Sequence, residues 1–333
     1  MIAASESRSS IVCSRKLLGD AMHALDGIHH ITLITGDAPR NVDFYARVLG
    51  LRLVKKTVNQ DDPSVYHLFY SDEHGSPGAD ITFFEYPGAQ PGRAGAGMID
   101  RIVHRVGGEQ ALDFWSERLA GEGVDVDRDP GRVRFADPEG MNHELTIDQS
   151  GDAALTARSN EVPGEFALQG FDSVHALVAD PARSEALLAD PLGFSEQAEH
   201  VWQARGERRG GRIEFTQSDE RGVPGAGTVH HIAWSVLHAE QEQWRERLIA
   251  FGAHPTPIID RFYFESVYFR EPGGILYELA TLDGAGFAAD EAPETLGERL
   301  ALPPRFEGMR EQVEPHLTPL PDTSRWRPAP VAD

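Results

Sequence analysis

Two histidine pairs open near-identical stretches of this chain, Gly27-Ile28-His29-His30-Ile31-Thr32 and Thr228-Val229-His230-His231-Ile232-Ala233. A later segment, Gly274-Ile275-Leu276-Tyr277-Glu278-Leu279, carries a glutamate 47 residues after His231. Side chains alternate faces along a strand, so one histidine of each pair points into a core or barrel. His30, Thr32 and Ile34 share one face; His29, Ile31 and Leu33 share the other. Two imidazoles and a carboxylate from different strands form the donor set of a mononuclear Fe(II) site that keeps coordination positions open. A single pair reads more simply as histidines satisfied in a core. Two pairs at equivalent places, with Glu278 behind the second, shift the balance to a metal.

The elements that must position these residues are repeats. Asp137-Pro138-Glu139-Gly140-Met141-Asn142-His143-Glu144-Leu145 matches Glu271-Pro272-Gly273-Gly274-Ile275-Leu276-Tyr277-Glu278-Leu279. Upstream of each lies one helical phrase, Trp115-Ser116-Glu117-Arg118-Leu119 and Trp244-Arg245-Glu246-Arg247-Leu248. Val48-Leu49-Gly50-Leu51 and Pro191-Leu192-Gly193-Phe194 each close a helix with glycine at its C-terminal end. The pattern predicts an α+β chain of four βαβββ modules at about 26–88, 97–149, 168–218 and 227–283. In the first, strands are expected at 28–34, 51–57, 65–71 and 80–86, and a helix at 38–48. Taken in chain order, the domains would be 26–150 (modules 1 and 2) and 166–283 (modules 3 and 4), with a polar linker at 151–165. Residues 1–25 read as a disordered extension, with Met22 as an alternative start that would leave 1–21 outside the native protein. Residues 284–333, proline-rich and without a strand pattern, read as a tail that wraps the surface.

Composition bounds the partners. The chain has 333 residues, 40% hydrophobic and 25% charged, with a formal charge of −22. That charge repels phosphate and disfavours nucleic acid and anionic membranes. No apolar run approaches the roughly 20 residues of a bilayer span. A single cysteine, Cys13, excludes an internal disulfide and a thiolate metal cage. Arg15, Lys16 and Asp20 interrupt any signal-peptide core, and the expected location is cytoplasmic. Assembly into a homo-oligomer is left open.

The repeat and its signatures resemble the vicinal oxygen chelate superfamily of glyoxalases, fosfomycin-resistance proteins and extradiol dioxygenases. More narrowly, Leu25–Thr32, Tyr66-His67-Leu68-Phe69-Tyr70 with Gly75-Ser76-Pro77-Gly78, and Asp260–Thr281 are similar to the hydroquinone-type ring-cleaving dioxygenases. The resemblance implies modules paired into two open barrels, with a metal inside. It places the ligands at the second histidine of each pair, hence His30 and His231, with Glu278 completing the set. It implies Fe(II), with Mn(II) or Zn(II) also accepting such donors, and a small aromatic diol and O2 as reactants. It maps an arginine and a tyrosine beside the metal onto Arg261 and Tyr268, to stabilise an anionic oxygen and to donate a proton. His29 and His230, adjacent to the ligands, and Thr32, on the His30 face, are further candidates for proton handling and ligand orientation.

Glu144 is a rival carboxylate, since it holds in the second module the place of Glu278. No histidine pair opens that module, whose first strand reads Arg101-Ile102-Val103-His104, and Glu144 is expected to be a hydrogen-bonded remnant. His67, His74, His104, His143 and His175 have no pattern behind them. The expected activity is cleavage of a para-hydroquinone ring beside one hydroxyl. The alternatives are a catechol extradiol dioxygenase, a glyoxalase-like metal isomerase, and a protein that binds an aromatic or quinone without chemistry.

Overall fold

The computed structural model describes residues 24–284 and 286–328. The expected N-terminal extension falls on residues outside that range except at its end, where Leu25 is buried in the core rather than loose. Module 1 supplies β1 (Ile28–Thr35), β2 (Arg52–Val58), β3 (Tyr66–Ser71) and β4 (Asp80–Glu85); module 2 supplies β5 (Met98–Val106), β6 (Asp127–Asp129), β7 (Arg132–Ala136) and β8 (Asn142–Ile147). Module 3 supplies β9 (Phe171–Val178), β10 (Ser195–Ala198), β11 (Val201–Arg205) and β12 (Gly210–Gln217); module 4 supplies β13 (Thr228–Val236), β14 (Ile259–Asp260), β15 (Glu265–Arg270) and β16 (Leu276–Thr281). Each module places one helical segment after its first strand. The one expected at 38–48 is an α-helix over Ala38–Val42 that widens to π-helical turns over Asp43–Val48, where Leu49 N donates to Phe44 O at 2.9 Å. Among the described residues no helix is long and apolar enough to cross a membrane.

The strands form two eight-stranded sheets, ordered β14-β15-β16-β13-β1-β4-β3-β2 and β10-β11-β12-β9-β5-β8-β7-β6. Module 1 therefore pairs with module 4, and module 2 with module 3. This corrects the chain-order grouping of modules 1 with 2 and 3 with 4. The reason lies in the connectors. Pro91-Gly92-Arg93-Ala94-Gly95-Ala96-Gly97 and Arg221-Gly222-Val223-Pro224-Gly225-Ala226-Gly227 run side by side, bridged at Pro91 with Ala226, Arg93 with Val223 and Ala96 with Arg221. A Cβ on Gly95 would lie 2.3 Å from Gly222 N, so this backbone approach requires glycine. The paired connectors carry modules 2 and 3 together into one sheet and return module 4 to module 1.

The repeated acidic turn has a structural cause. Asp137 Oδ1 accepts from the backbone N–H of Glu139 and Met141, both at 2.8 Å. Glu271 does the same for Gly273 at 2.7 Å and Ile275 at 2.9 Å. Each carboxylate closes the turn that launches the strand carrying Glu144 or Glu278. The C-terminal segment does more than wrap: Leu300, Leu302, Val313, Leu317 and Trp326 are buried in the main core. Fully buried Lys55 donates to Phe287 O at 3.0 Å and to Asp290 at 2.7 Å, and it also pairs with Glu291.

Candidate metal centre

His30 on β1, His231 on β13 and Glu278 on β16 converge on the inner face of the first sheet, all buried. His30 Nε2 and His231 Nε2 stand 3.2 Å apart; Glu278 Oε2 lies 3.2 Å from the former and 2.9 Å from the latter. Glu278 Oε1 accepts from Ser266 Oγ at 2.5 Å, but Oε2 has no hydrogen bond among the described residues. Burial alone would raise the Glu278 carboxyl, yet the adjoining His30 and His231 hold it well below the usual carboxylate range. A buried oxygen without a donor is costly unless something else meets it. Two imidazoles and a carboxylate around one point fit a divalent cation.

Register explains how the paired histidines cooperate. Alternation puts His29 on the face opposite His30, but β1 and β13 slip between Ile28 and His30, and again where Thr32 faces His231 and Leu33 faces Val229. The extra residues are His29 on β1 and His230 on β13. Each is a β-bulge, which re-aims a side chain. His29 Nδ1 thereby reaches His30 Nδ1 at 3.0 Å, and His230 Nδ1 reaches His231 Nδ1 at 2.8 Å.

The first pair fixes its own tautomers. Burial, then the neighbouring His30, lowers the His29 pKa to about 3, so the ring is neutral. Its Nε2 faces Thr281 O at 3.3 Å, and a carbonyl only accepts, so Nε2 carries the hydrogen. His29 Nδ1 then accepts from His30 Nδ1–H, which leaves His30 Nε2 as the nitrogen that faces His231 and Glu278. The second pair ends differently, because His230 is exposed to solvent.

The other candidates lie close by. Arg261 and Tyr268 both line the cavity over the three donors, with the guanidinium 5.3 Å from the tyrosine ring centroid. Arg261 also binds Asp61 at 3.1 and 3.0 Å, joining the end of β14 to the loop after β2. Burial, then the Glu278 charge, raises the Tyr268 hydroxyl above its ordinary value, so it stays protonated. Thr32 Oγ1 contacts Thr82 Oγ1 at 2.8 Å rather than a ligand ring. Of the aromatics, Phe264 packs on His29 and His30, each at 5.2 Å, and lines the cavity with Phe84; Phe44 and Phe83 belong to the core.

Sequence patterns missed Ser266, His67 and Thr57. Ser266 orients Glu278; His67 and Thr57 line the cavity. A lone polar residue in a strand carries no signal, although His67 and Thr57 face each other across β3 and β2.

The second sheet repeats the frame without the donors. Its register slips fall at Asp100 on β5 and Asp172 on β9, the places of His230 and His29. Arg101 and Ser173 stand where His231 and His30 stand. Arg101 Nη1 donates to Glu144 Oε2 at 2.9 Å and Arg134 Nε to the same oxygen at 2.8 Å. Glu144 is thus held in ion pairs and faces no imidazole cluster.

Residues 27–145 and 170–279 match the glyoxalase/bleomycin resistance protein/dioxygenase superfamily, and the chain belongs to that family. It is 38% identical over 314 residues to the Bacillus subtilis (strain 168) protein named "Putative ring-cleaving dioxygenase MhqA", across 89% of this chain and 99% of that one. It is 33% identical over 311 residues to the chlorohydroquinone/hydroquinone 1,2-dioxygenase of Sphingobium indicum, across 87% of this chain and 95% of that one. A crystal structure described as a "putative dioxygenase" from Bacillus subtilis superposes with a TM-score of 0.81 at 39% identity, covering 90% of this chain and 98% of that one.

Proposed function

We propose that this ring-cleaving dioxygenase opens a para-hydroquinone, bare or substituted, beside one hydroxyl, using O2 and an Fe(II) ion held by His30, His231 and Glu278. The observation that carries the reading is Glu278 Oε2, buried, without a hydrogen bond among the described residues, and 3.2 and 2.9 Å from two imidazole nitrogens. Two imidazoles and one carboxylate are the donor set that a non-haem Fe(II) ion would take while keeping positions open, and Mn(II) or Zn(II) would also accept it. When bound, the ion supplies the path by which electrons of a closed-shell diol reach triplet O2. The substrate class is supported by the activity named for the Sphingobium relative. It is also supported by the aromatic walls of the cavity over the donors, which Phe69, Phe84, Phe264 and Tyr268 supply.

The chain's own groups divide the remaining work. Arg261 places a permanent positive charge beside oxygen atoms that become anionic. Tyr268, kept protonated, donates a hydrogen bond or a proton to them. His29, locked on Thr281 O, holds His30 in the tautomer a ligand requires. His230, whose Nδ1 meets His231 Nδ1 at 2.8 Å, orients the second imidazole ligand from the solvent side. Thr32 steadies the wall beside His30 through Thr82. Both oxygen atoms enter the product, a hydroxymuconic-type semialdehyde, or an acyl halide where the cleaved carbon bears halogen.

The test uses His231→Ala and Glu278→Ala. Each is expected to lose iron retention and oxygen uptake together while circular dichroism stays native. Full activity in either variant would sink the assignment.

A further inference from the structure

The cavity has a second polar end that the metal centre does not use. Thr57 on β2 is 1% exposed and lines the cavity beside the Tyr263 hydroxyl, and its Oγ1 has no partner within hydrogen-bond distance among the described residues. The neighbouring Tyr263 hydroxyl donates to Asp290 at 3.1 Å. His67, directly across from Thr57, is held through Nε2 by Thr82 Oγ1 at 2.9 Å, which joins it to Thr32 on β1. Its Nδ1 makes no hydrogen bond among the described residues. The other polar groups on this side are engaged. Asn59 Oδ1 accepts from Asp61 N at 2.9 Å, Gln60 Nε2 donates to Arg261 O at 2.7 Å, and Asp61 holds the Arg261 guanidinium.

One aromatic ring separates the two ends. The Phe84 centroid lies 6.5 Å from His231 and 4.4 Å from His67. A substrate ring lying along Phe84 would present one edge to His30, His231 and Glu278 and the opposite edge to His67 and Thr57. The two oxygens of a para-diol point in opposite directions from the ring; those of an ortho-diol do not.

The geometry points to Thr57 and His67 as the pair that binds the hydroxyl of a para-diol remote from the metal, and so selects para over ortho diols. This rests on the hydroquinone reading above and adds the residues that set its specificity. Thr57 Oγ1 and His67 Nδ1 can each donate or accept, so together they satisfy both the hydrogen and the lone pairs of one hydroxyl. The Thr57 hydroxyl, buried in the cavity wall, gains a hydrogen bond to the substrate oxygen when substrate enters.

The test measures anaerobic binding of hydroquinone and of phenol, which lacks the remote hydroxyl, to the Fe(II)-loaded full chain by calorimetry. The variants are Thr57→Val, which is isosteric, and His67→Phe, which keeps the ring packing against Phe69 and Phe84. The wild type is expected to bind hydroquinone about tenfold more tightly than phenol. Each variant should narrow that ratio to about threefold, and the double variant should erase it, with phenol affinity and iron content unchanged. In turnover, KM for hydroquinone should rise while kcat is retained. A double variant that keeps the wild-type ratio overturns the proposal, as does a wild type that does not distinguish the two ligands while still cleaving hydroquinone. A wild type that neither binds nor cleaves any diol overturns the hydroquinone reading and this inference with it.

Discussion

Ser266→Ala is the substitution whose effect can be worked most directly from the centre. Ser266 is fully buried and its Oγ donates to Glu278 Oε1 at 2.5 Å, which turns Oε2 toward the two imidazoles. Removing the hydroxyl leaves a buried carboxylate oxygen without its donor and frees the carboxylate to rotate. A hydrogen bond to a charged group contributes about 1.5–3 kcal/mol, which converts to roughly 10- to 150-fold in a dissociation constant. Partners of metal ligands typically account for about 10- to 100-fold in affinity. The variant is therefore expected to bind Fe(II) about 10- to 100-fold more weakly, read anaerobically by competition with a chromogenic chelator. Because Ser266 only orients a ligand, oxygen uptake should recover at saturating Fe(II). Unchanged affinity would refute the orienting role. Activity that stays lost at saturating iron would place Ser266 in the chemistry instead.

Two further outcomes concern the frame. Burial raises Asp137 to about 6 from an ordinary 3.8, despite the hydrogen bonds it accepts from Met141 N and Tyr45 Oη. Since the folded value lies above the unfolded one, this contribution is full below about pH 4 and lost as pH rises to about 6, amounting to about 3 kcal/mol. Urea unfolding from pH 4 to 7 should show that slope in the wild type, and Asp137→Asn should flatten it. Lys55→Met strands the buried Glu291 carboxylate, at about 3–5 kcal/mol, and should loosen the segment after residue 286. Limited proteolysis would detect cleavage there, and an unchanged digest would contradict the role of the pair as a clasp.

Much of this was legible in the chain. Two histidine pairs at equivalent repeat positions, with a glutamate on a matching strand, mark the three donors because a repeated frame makes coincidence expensive. The acidic turn before each glutamate was legible as a repeat, and its cause, a carboxylate holding two backbone N–H groups, appears only in three dimensions. The module partnership was not legible. It depends on two glycine-rich connectors, about 130 residues apart, packing backbone to backbone. The bulges at His29 and His230 escaped for a related reason, since a register slip belongs to a strand pair and not to either strand. Arg261 was found by resemblance, but its pairing with Asp61 joins loops 200 residues apart. Thr57, His67 and Ser266 are single polar residues in strands, where type and spacing say nothing until the facing strands are known.

Isotopically labelled O2 reports directly on whether this centre inserts both oxygen atoms into a hydroquinone ring. The Fe(II)-loaded chain is mixed with hydroquinone, oxygen uptake is recorded, and the product mass is measured. One O2 consumed per hydroquinone, with both labelled oxygens in a ring-opened product, is the result expected of this centre. Loss of hydroquinone without labelled ring-opened product, or cleavage confined to catechol, would contradict it.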